Sequence, residues 1–216
     1  MDGNFQGATT FYWPGIALVR PTVIFDLGGV LVSVDFMRAC ARLEAAGGLA
    51  SARIRDLIVT GREKAELDCG RLSPREFAAR VCAAVGASLA YSEFADIWCD
   101  IFSEQREVTG LLDQIGQRAD LILLSNTDPL HLERVGSQFD FLGKFGHLVL
   151  SYEIGHTKPA RQIYERALAL CPPGGKAIFF DDVPEFVAAA RACGLSAEQF
   201  VSVDTLKRDL VQFGAL

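Results

Sequence analysis

Five side-chain positions in this chain carry reactive chemistry in a telling arrangement. Asp26 follows the apolar run Thr22-Val23-Ile24-Phe25 and precedes Leu27-Gly28-Gly29. Asp181 and Asp182 follow a second run, Ala177-Ile178-Phe179-Phe180. Adjacent carboxylates repel one another unless a cation or a proton lies between them. An N-cap role at the following Pro184-Glu185-Phe186 would account for one of the two acids but not both. Three acids gathered at one edge make a hard-oxygen site of the kind Mg²⁺ prefers. Ser125-Asn126-Thr127 follow a third run, Leu121–Leu124, where a hydroxyl and backbone amides could hold phosphoryl oxygens, although Ser and Asn are also ordinary turn residues. Lys158, before Pro159 and a helical pattern, either sits solvated on the surface or neutralises phosphoryl charge as a point cation.

The elements that must position these groups are legible as short apolar runs alternating with helical patterns. Besides the three runs above, Leu148–Leu150 and Phe200–Val203 read as strands. Helical periodicity covers residues 107–117, 129–137, 160–170, 184–193 and 205–213. That alternation predicts an α/β domain whose parallel sheet is buried on both faces. Residues 35–103 break the alternation, with no convincing strand and helical stretches at 36–46, 51–58, 74–85 and 92–102. Ligands in open α/β sheets bind beyond the carboxyl ends of the strands, so an all-helical insertion leaving the first strand there would roof the site.

The order Asp, Ser, Lys, Asp-Asp at strand ends and helix entrances resembles the haloacid dehalogenase-like (HAD) hydrolase superfamily. Val23–Leu31 is similar to its motif I, Leu123–Thr127 to motif II, Lys158-Pro159 to motif III and Phe179–Glu185 to motif IV. The resemblance runs from about residue 20 to the C-terminus and includes a helical cap in the C1 position. It is nearest the branch holding glucose-1-phosphate phosphatases and the N-terminal phosphatase domain of soluble epoxide hydrolase. It implies a Rossmann-like parallel sheet core flanked by helices at 21–34 and 104–216, an all-helical cap at 35–103 inserted after the first strand, and an irregular N-terminal extension at 1–20.

By the same resemblance, Asp26 would be the nucleophile of a Mg²⁺-dependent phosphomonoesterase and a metal ligand. Asp182 would be the main acidic ligand, with Asp181 beside it as a second ligand or the holder of a metal-bound water, and the Gly28 carbonyl as a further ligand. Ser125, Asn126, Gly29 and Lys158 would hold the phosphoryl group, Lys158 also stabilising an aspartyl phosphate. A carboxylate nucleophile splits one hard hydrolysis into two easier steps. Phosphoryl transfer otherwise needs mainly in-line positioning and neutralised oxygen charge. Two departures stand out. Gly28 occupies the place where the family usually has an acid/base Asp, a loss on the order of 10²- to 10⁴-fold unless another group replaces it. Phe186 stands where related motifs often have Asn. Two other functions stay open: a 2-haloacid dehalogenase, against which the Asp181-Asp182 pair argues, and a binding protein without turnover.

In the insertion, Arg38, Arg42, Arg62, Lys64, Arg71 and Arg75 are candidate contacts for substrate anions, with most expected at the solvated surface. Phe36, Phe77, Phe94 and Trp98 read as cap core rather than substrate platform. Asp35, on the way into the cap, is a candidate substitute acid/base, and His156 reads as a loop residue. The 216 residues include 21 Lys+Arg and 27 Asp+Glu, a net charge of −6 that argues against nucleic acid or an anionic membrane as main partner. The expected partner is a small phosphorylated substrate, and the expected assembly a monomer or homodimer. No apolar run reaches the ~18 residues of a membrane span. Met1–Leu18 holds no Lys or Arg, unlike a secretory leader, and Trp13-Pro14-Gly15 reads as a turn. The six cysteines form no Cys-x-x-Cys pair, which disfavours structural zinc and fits reduced thiols in a cytoplasmic protein.

Overall fold

The computed structural model describes residues 19–216; most of the expected N-terminal extension (1–20), with its Trp13-Pro14-Gly15 turn, lies outside the described residues. In chain order the elements are β1 (Thr22–Phe25), β2 (Val32–Val34), α1 (Phe36–Gly47), α2 (Ser51–Val59), α3 (Arg62–Asp68), α4 (Pro74–Val85), α5 (Tyr91–Cys99), β3 (Phe102–Glu104), α6 (Arg106–Thr109) and α7 (Leu112–Arg118). They continue with β4 (Asp120–Ser125), α8 (Pro129–Gln138), a 3-10 turn (Asp140–Lys144), β5 (His147–Leu150), α9 (Ser151–Ile154), α10 (Arg161–Leu168), β6 (Ala177–Asp181), α11 (Pro184–Ala192), β7 (Ser196–Gln199) and α12 (Val203–Phe213).

The main sheet has five parallel strands in the order β5-β4-β1-β6-β7. Period-2 alternation gives each strand two apolar faces. Ile24, Ile122, Leu124 and Phe179 belong to one buried layer with α10 and α11 residues such as Tyr164 and Val187. Val23, Phe25, Leu121, Leu123 and Phe180 belong to the other. Phe25 and Phe180 stack at 5.7 Å across neighbouring strands, the kind of pair that adds to area burial. Covering both faces is what permits an all-parallel sheet.

Register positions the site. Phe25 pairs with Leu123 of β4 and with Phe180 of β6, so the next residues, Asp26, Leu124 and Asp181, stand level at the carboxyl edge. The Asp26 amide donates to the Phe180 carbonyl at 2.9 Å, which extends the ladder to the acid itself.

The apolar faces of helices α1–α5 run on from the Val23/Phe25 layer of the sheet as one continuous cluster, in which Phe77, Phe94 and Trp98 are fully buried with ring centroids 4.9–6.4 Å apart. Ser73 and Glu76 form a reciprocal capping box with Pro74 in the first turn, which starts α4 sharply. The two chain crossings into and out of these helices, β2 and β3, pair antiparallel.

Three expectations need correction. The last strand is Ser196–Gln199, not Phe200–Val203; it is an edge strand with only Ala197 buried, so it carries no apolar run. Val203 instead begins α12, whose N-cap Ser202 accepts from the Thr205 amide. The helix expected at 107–117 is two, broken at Gly110 between α6 and α7. The segment near 35–103 does touch strand structure: α5 ends at Cys99 and β3 follows, while α3, which carries Lys64 and where no helix was expected, fills 62–68.

Candidate active site

Lys158 is the hub. Its side chain is 1% exposed, and Nζ lies 2.7 Å from Asp26 Oδ1, 2.6 Å from Asp181 Oδ2 and 3.3 Å from the Leu124 carbonyl. A lysine is held there because the loop that carries it is pinned: its amide donates to Asn126 Oδ1 (2.7 Å) and its carbonyl accepts from Asn126 Nδ2 (3.0 Å). Asn126 thereby spends its amide on the loop rather than facing the cavity alone. The next residue, Thr127, is fixed through its amide and carbonyl by the buried Ser151 hydroxyl.

Asp26 Oδ1 also accepts from the Leu27 amide at 2.7 Å. Both hydrogen bonds from described residues fall on that oxygen, leaving Oδ2 without one. Asp181 is wholly buried, and its second oxygen accepts from the Val183 amide at 2.8 Å. Asp182 is the most open of the three. One carboxylate oxygen from each of Asp26, Asp181 and Asp182 can be chosen so that all lie within 4.8 Å of one another. One buried cation beside three carboxylates leaves negative charge over, and an all-oxygen donor set fits a hard divalent ion.

Burial raises the Asp26 carboxyl from its ordinary 3.8 to about 7; Lys158 opposes the rise and Asp181 adds to it. Burial, then the Asp181 charge, raises Asp182 as well. A divalent ion in the site would supply the missing positive charge.

Gly29 is required by close approach. Its φ is +80°, and a Cβ there would lie 2.2 Å from Asp182 Oδ2. Gly28 is less constrained, its would-be Cβ 3.2 Å from Val34 Cγ2. Asp26, Gly28, Gly29, Ser125, Asn126, Lys158 and Asp182 all line one cavity of about 350 Å³; Asp181 sits behind them against Lys158.

The opposite wall of that cavity comes largely from the helical insertion and its linkers: Val34, Phe36, Val59, Lys64 and Phe102. Of the six basic candidates there, Lys64 is the one that lines it. Arg38 and Arg42 pair with Asp100, Arg71 pairs with Glu66, and Arg75 lies over the Tyr91 ring. Phe36 is corrected from pure cap core to a cavity wall that also packs on Trp98 at 5.8 Å. Asp35 is the N-cap of α1, accepting from the Met37 amide, and His156 is exposed. Phe186 lines the cavity with its ring 5.2 Å from Lys158 Nζ, and its carbonyl accepts from the Tyr164 hydroxyl.

Sequence reasoning missed Asp128 and His131. Asp128 caps α8, its Oδ1 accepting from the Leu130 and His131 amides, while Oδ2 accepts from Trp98 Nε1 at 3.3 Å and meets His131 Nδ1 at 2.9 Å. Burial would raise this carboxyl, but His131, its hydrogen bond and Lys64 outweigh burial and hold it at about 2. The Asp-Pro start of α8 announced the cap in sequence. Nothing announced the indole of Trp98, 30 residues earlier, as its second partner.

A sheet edge that gathers Asp, Ser, Lys and Asp-Asp beneath a helical insertion defines a class. The chain belongs to the haloacid dehalogenase-like hydrolase family, whose model matches residues 21–194. It is 32% identical over 152 residues to a D-ribitol-5-phosphate phosphatase of Bacteroides thetaiotaomicron, covering 66% of this chain and 73% of that protein. The solved structure of a predicted HAD-like family hydrolase from Porphyromonas gingivalis superposes with a TM-score of 0.75 at 26% identity, over 89% of this chain and 98% of that one. A HAD family enzyme of B. thetaiotaomicron, in complex with magnesium and inorganic phosphate, shares the fold with a TM-score of 0.74 at 22% identity, over 83% of this chain and 93% of that one. Among the described residues no helix is long and apolar enough to cross a membrane.

Proposed function

We propose that this hydrolase is a Mg²⁺-dependent phosphomonoesterase acting on a small phosphorylated metabolite through an aspartyl phosphate on Asp26. The observation that carries the reading is the convergence of Asp26, Asp181 and Asp182 within 4.8 Å around the buried Lys158, in one cavity with Ser125. The phosphatase named among its relatives and the magnesium–phosphate complex of a structural neighbour support it. The intact acidic trio opposes the dehalogenase alternative.

Asp26, Asp182 and the Gly28 carbonyl would hold the ion, which when bound screens phosphoryl oxygen charge from the carboxylates. Asp26 Oδ1 is anchored by Leu27 and Lys158, so Oδ2 is the oxygen free to attack phosphorus in line. The new O–P bond forms as the ester O–P bond breaks. Ser125 and Lys158 stabilise the transferring group through hydrogen bonds and charge. Water then attacks the acyl phosphate, which frees Asp26 and releases phosphate. Gly28 offers no acid, so the leaving oxygen takes its proton from water or from another group in the cavity. The helices of residues 35–103 act as a cap that shapes the leaving-group side.

The test is phosphate release from a panel of small phosphoesters. Activity that requires Mg²⁺, stops with EDTA and falls by on the order of 10⁴-fold or more in Asp26→Asn is expected. Undiminished release without metal, or by Asp26→Asn, would overturn the proposal.

A further inference from the structure

The wall of the cavity facing Asp26 holds a second group of buried charges. Lys64, on α3, is 8% exposed and lines the cavity. Its ammonium contacts both oxygens of Asp68 one helical turn on and stands 5.9 Å from the centre of the Trp98 ring. His131, on α8, also lines the cavity, but Nδ1 meets Asp128 and Nε2 meets the Trp98 carbonyl at 3.1 Å. Both ring nitrogens are thus engaged, and neither is left for a ligand.

Lys64 is matched by Asp68, and the Asp128 carboxylate lies against His131 in the same wall. Among the described residues of this wall the lysine is Lys64, already neutralised by Asp68, so a second phosphate or a carboxylate would enter with no free charge to offset it. An ammonium has three N–H donors, and Asp68 engages at most two of them. What the wall offers is one ammonium, with a donor to spare beyond Asp68, among apolar surfaces from Phe36, Val59 and Phe102. The volume of about 350 Å³ lies at the small end of ligand pockets, which excludes bulky leaving groups such as peptides.

We infer that Lys64 is a specificity-determining residue that donates a hydrogen bond to a hydroxyl of the leaving group, selecting monophosphates of neutral polyhydroxylated alcohols over bisphosphates and phosphorylated carboxylic acids. The inference rests on the phosphomonoesterase reading and goes beyond it in naming the substrate class and the residue that reads it. The Asp128–His131–Trp98 chain ties the cap to the core beside Lys64, which fixes the distance between donor and phosphate.

The experiment compares kcat/KM on a linear polyol monophosphate with that on 4-nitrophenyl phosphate, which has no hydroxyl to read. Lys64→Met keeps the stem and removes the donor. Because it leaves Asp68 buried without its cation, the double variant Lys64→Met/Asp68→Asn is run beside it. Both variants are expected to lose roughly ten- to hundredfold on the polyol phosphate, chiefly in KM, while 4-nitrophenyl phosphate stays within about threefold. Lys64→Arg, which keeps a charged donor, should recover part of the loss. Equal losses on both substrates, no loss on either, or a wild-type preference for a bisphosphate would overturn the role of Lys64. Wild-type protein that hydrolyses neither substrate would overturn the phosphomonoesterase reading and this inference with it.

Discussion

Replacing Lys158 with methionine tests the electrostatics of the site directly. The stem volume is retained and the charge removed. Asp26 and Asp181 then face each other in a buried site without the cation that now lies 2.7 and 2.6 Å from them. Breaking a buried ion pair by removing one partner costs about 3–5 kcal/mol. At about 2–4 °C per kcal/mol for a chain of this size, Tm should fall by about 6–20 °C in metal-free protein. The pH dependence carries the sharper information. Burial already lifts Asp26 to about 7 against the pull of Lys158, so losing that pull lifts it further. A carboxyl raised in the folded state contributes stability that is present at low pH and lost as pH rises through the folded value. Lys158→Met should therefore lie closer to wild type near pH 5 than near pH 8, with Mg²⁺ restoring part of the difference. Thermal denaturation followed by circular dichroism at both pH values, with and without Mg²⁺, measures all four states. A variant within about 1 kcal/mol of wild type at both pH values would refute the reasoning.

Metal-free wild type should likewise lose stability from Asp26 as pH rises from about 4 through 7, and because a proton competes with the ion there, Mg²⁺ affinity by calorimetry should weaken about fivefold between pH 7 and pH 6. Gly29→Ala puts a Cβ where Asp182 Oδ2 lies 2.2 Å away and forces φ of +80° on an L residue; Mg²⁺ affinity should drop tenfold or more, while strain of about 1–2 kcal/mol lowers Tm by only a few degrees. Asp128→Asn strips the charge from a carboxylate that accepts from Leu130, His131 and Trp98 and should cost about 1.5–3 kcal/mol near neutral pH. Since Asp128 is depressed from 3.8 to about 2, its wild-type contribution is present above pH 4 and lost as pH falls through 2, so the variant's acid-unfolding curve should lack that limb.

The central strands β1, β4 and β6 were legible because a sheet buried on both faces leaves uninterrupted apolar runs, and the acids that end β1 and β6 were legible because a charge breaks each run where Gly28-Gly29 or Pro184 soon follows. The edge strand β7 was not, since one buried alanine makes no run. The charged helix α3 escaped because its inward residue is Lys64, whose aliphatic stem packs while its head pairs with Asp68. Sequence alone offered six basic side chains in the insertion with equal claims. Only the fold separates Lys64, in the cavity wall, from five arginines that lie elsewhere. His131 stayed silent for the same reason: its partners, Trp98 and Asp128, come from two different layers.

The β2–β3 ribbon ties the roof to the floor in a particular way. Both passages of the chain are laced together from Val32 to Glu104, and just below the lacing the Gln105 amide bonds the Leu31 carbonyl while its side chain bonds the Gly29 carbonyl, both at 2.9 Å. The roof therefore stands on one stalk rather than two independent legs. That stalk is rooted at the glycine against which Asp182 rests, so the placing of this carboxylate, a ligand in the proposed metal site, is mechanically coupled to the foot of the roof.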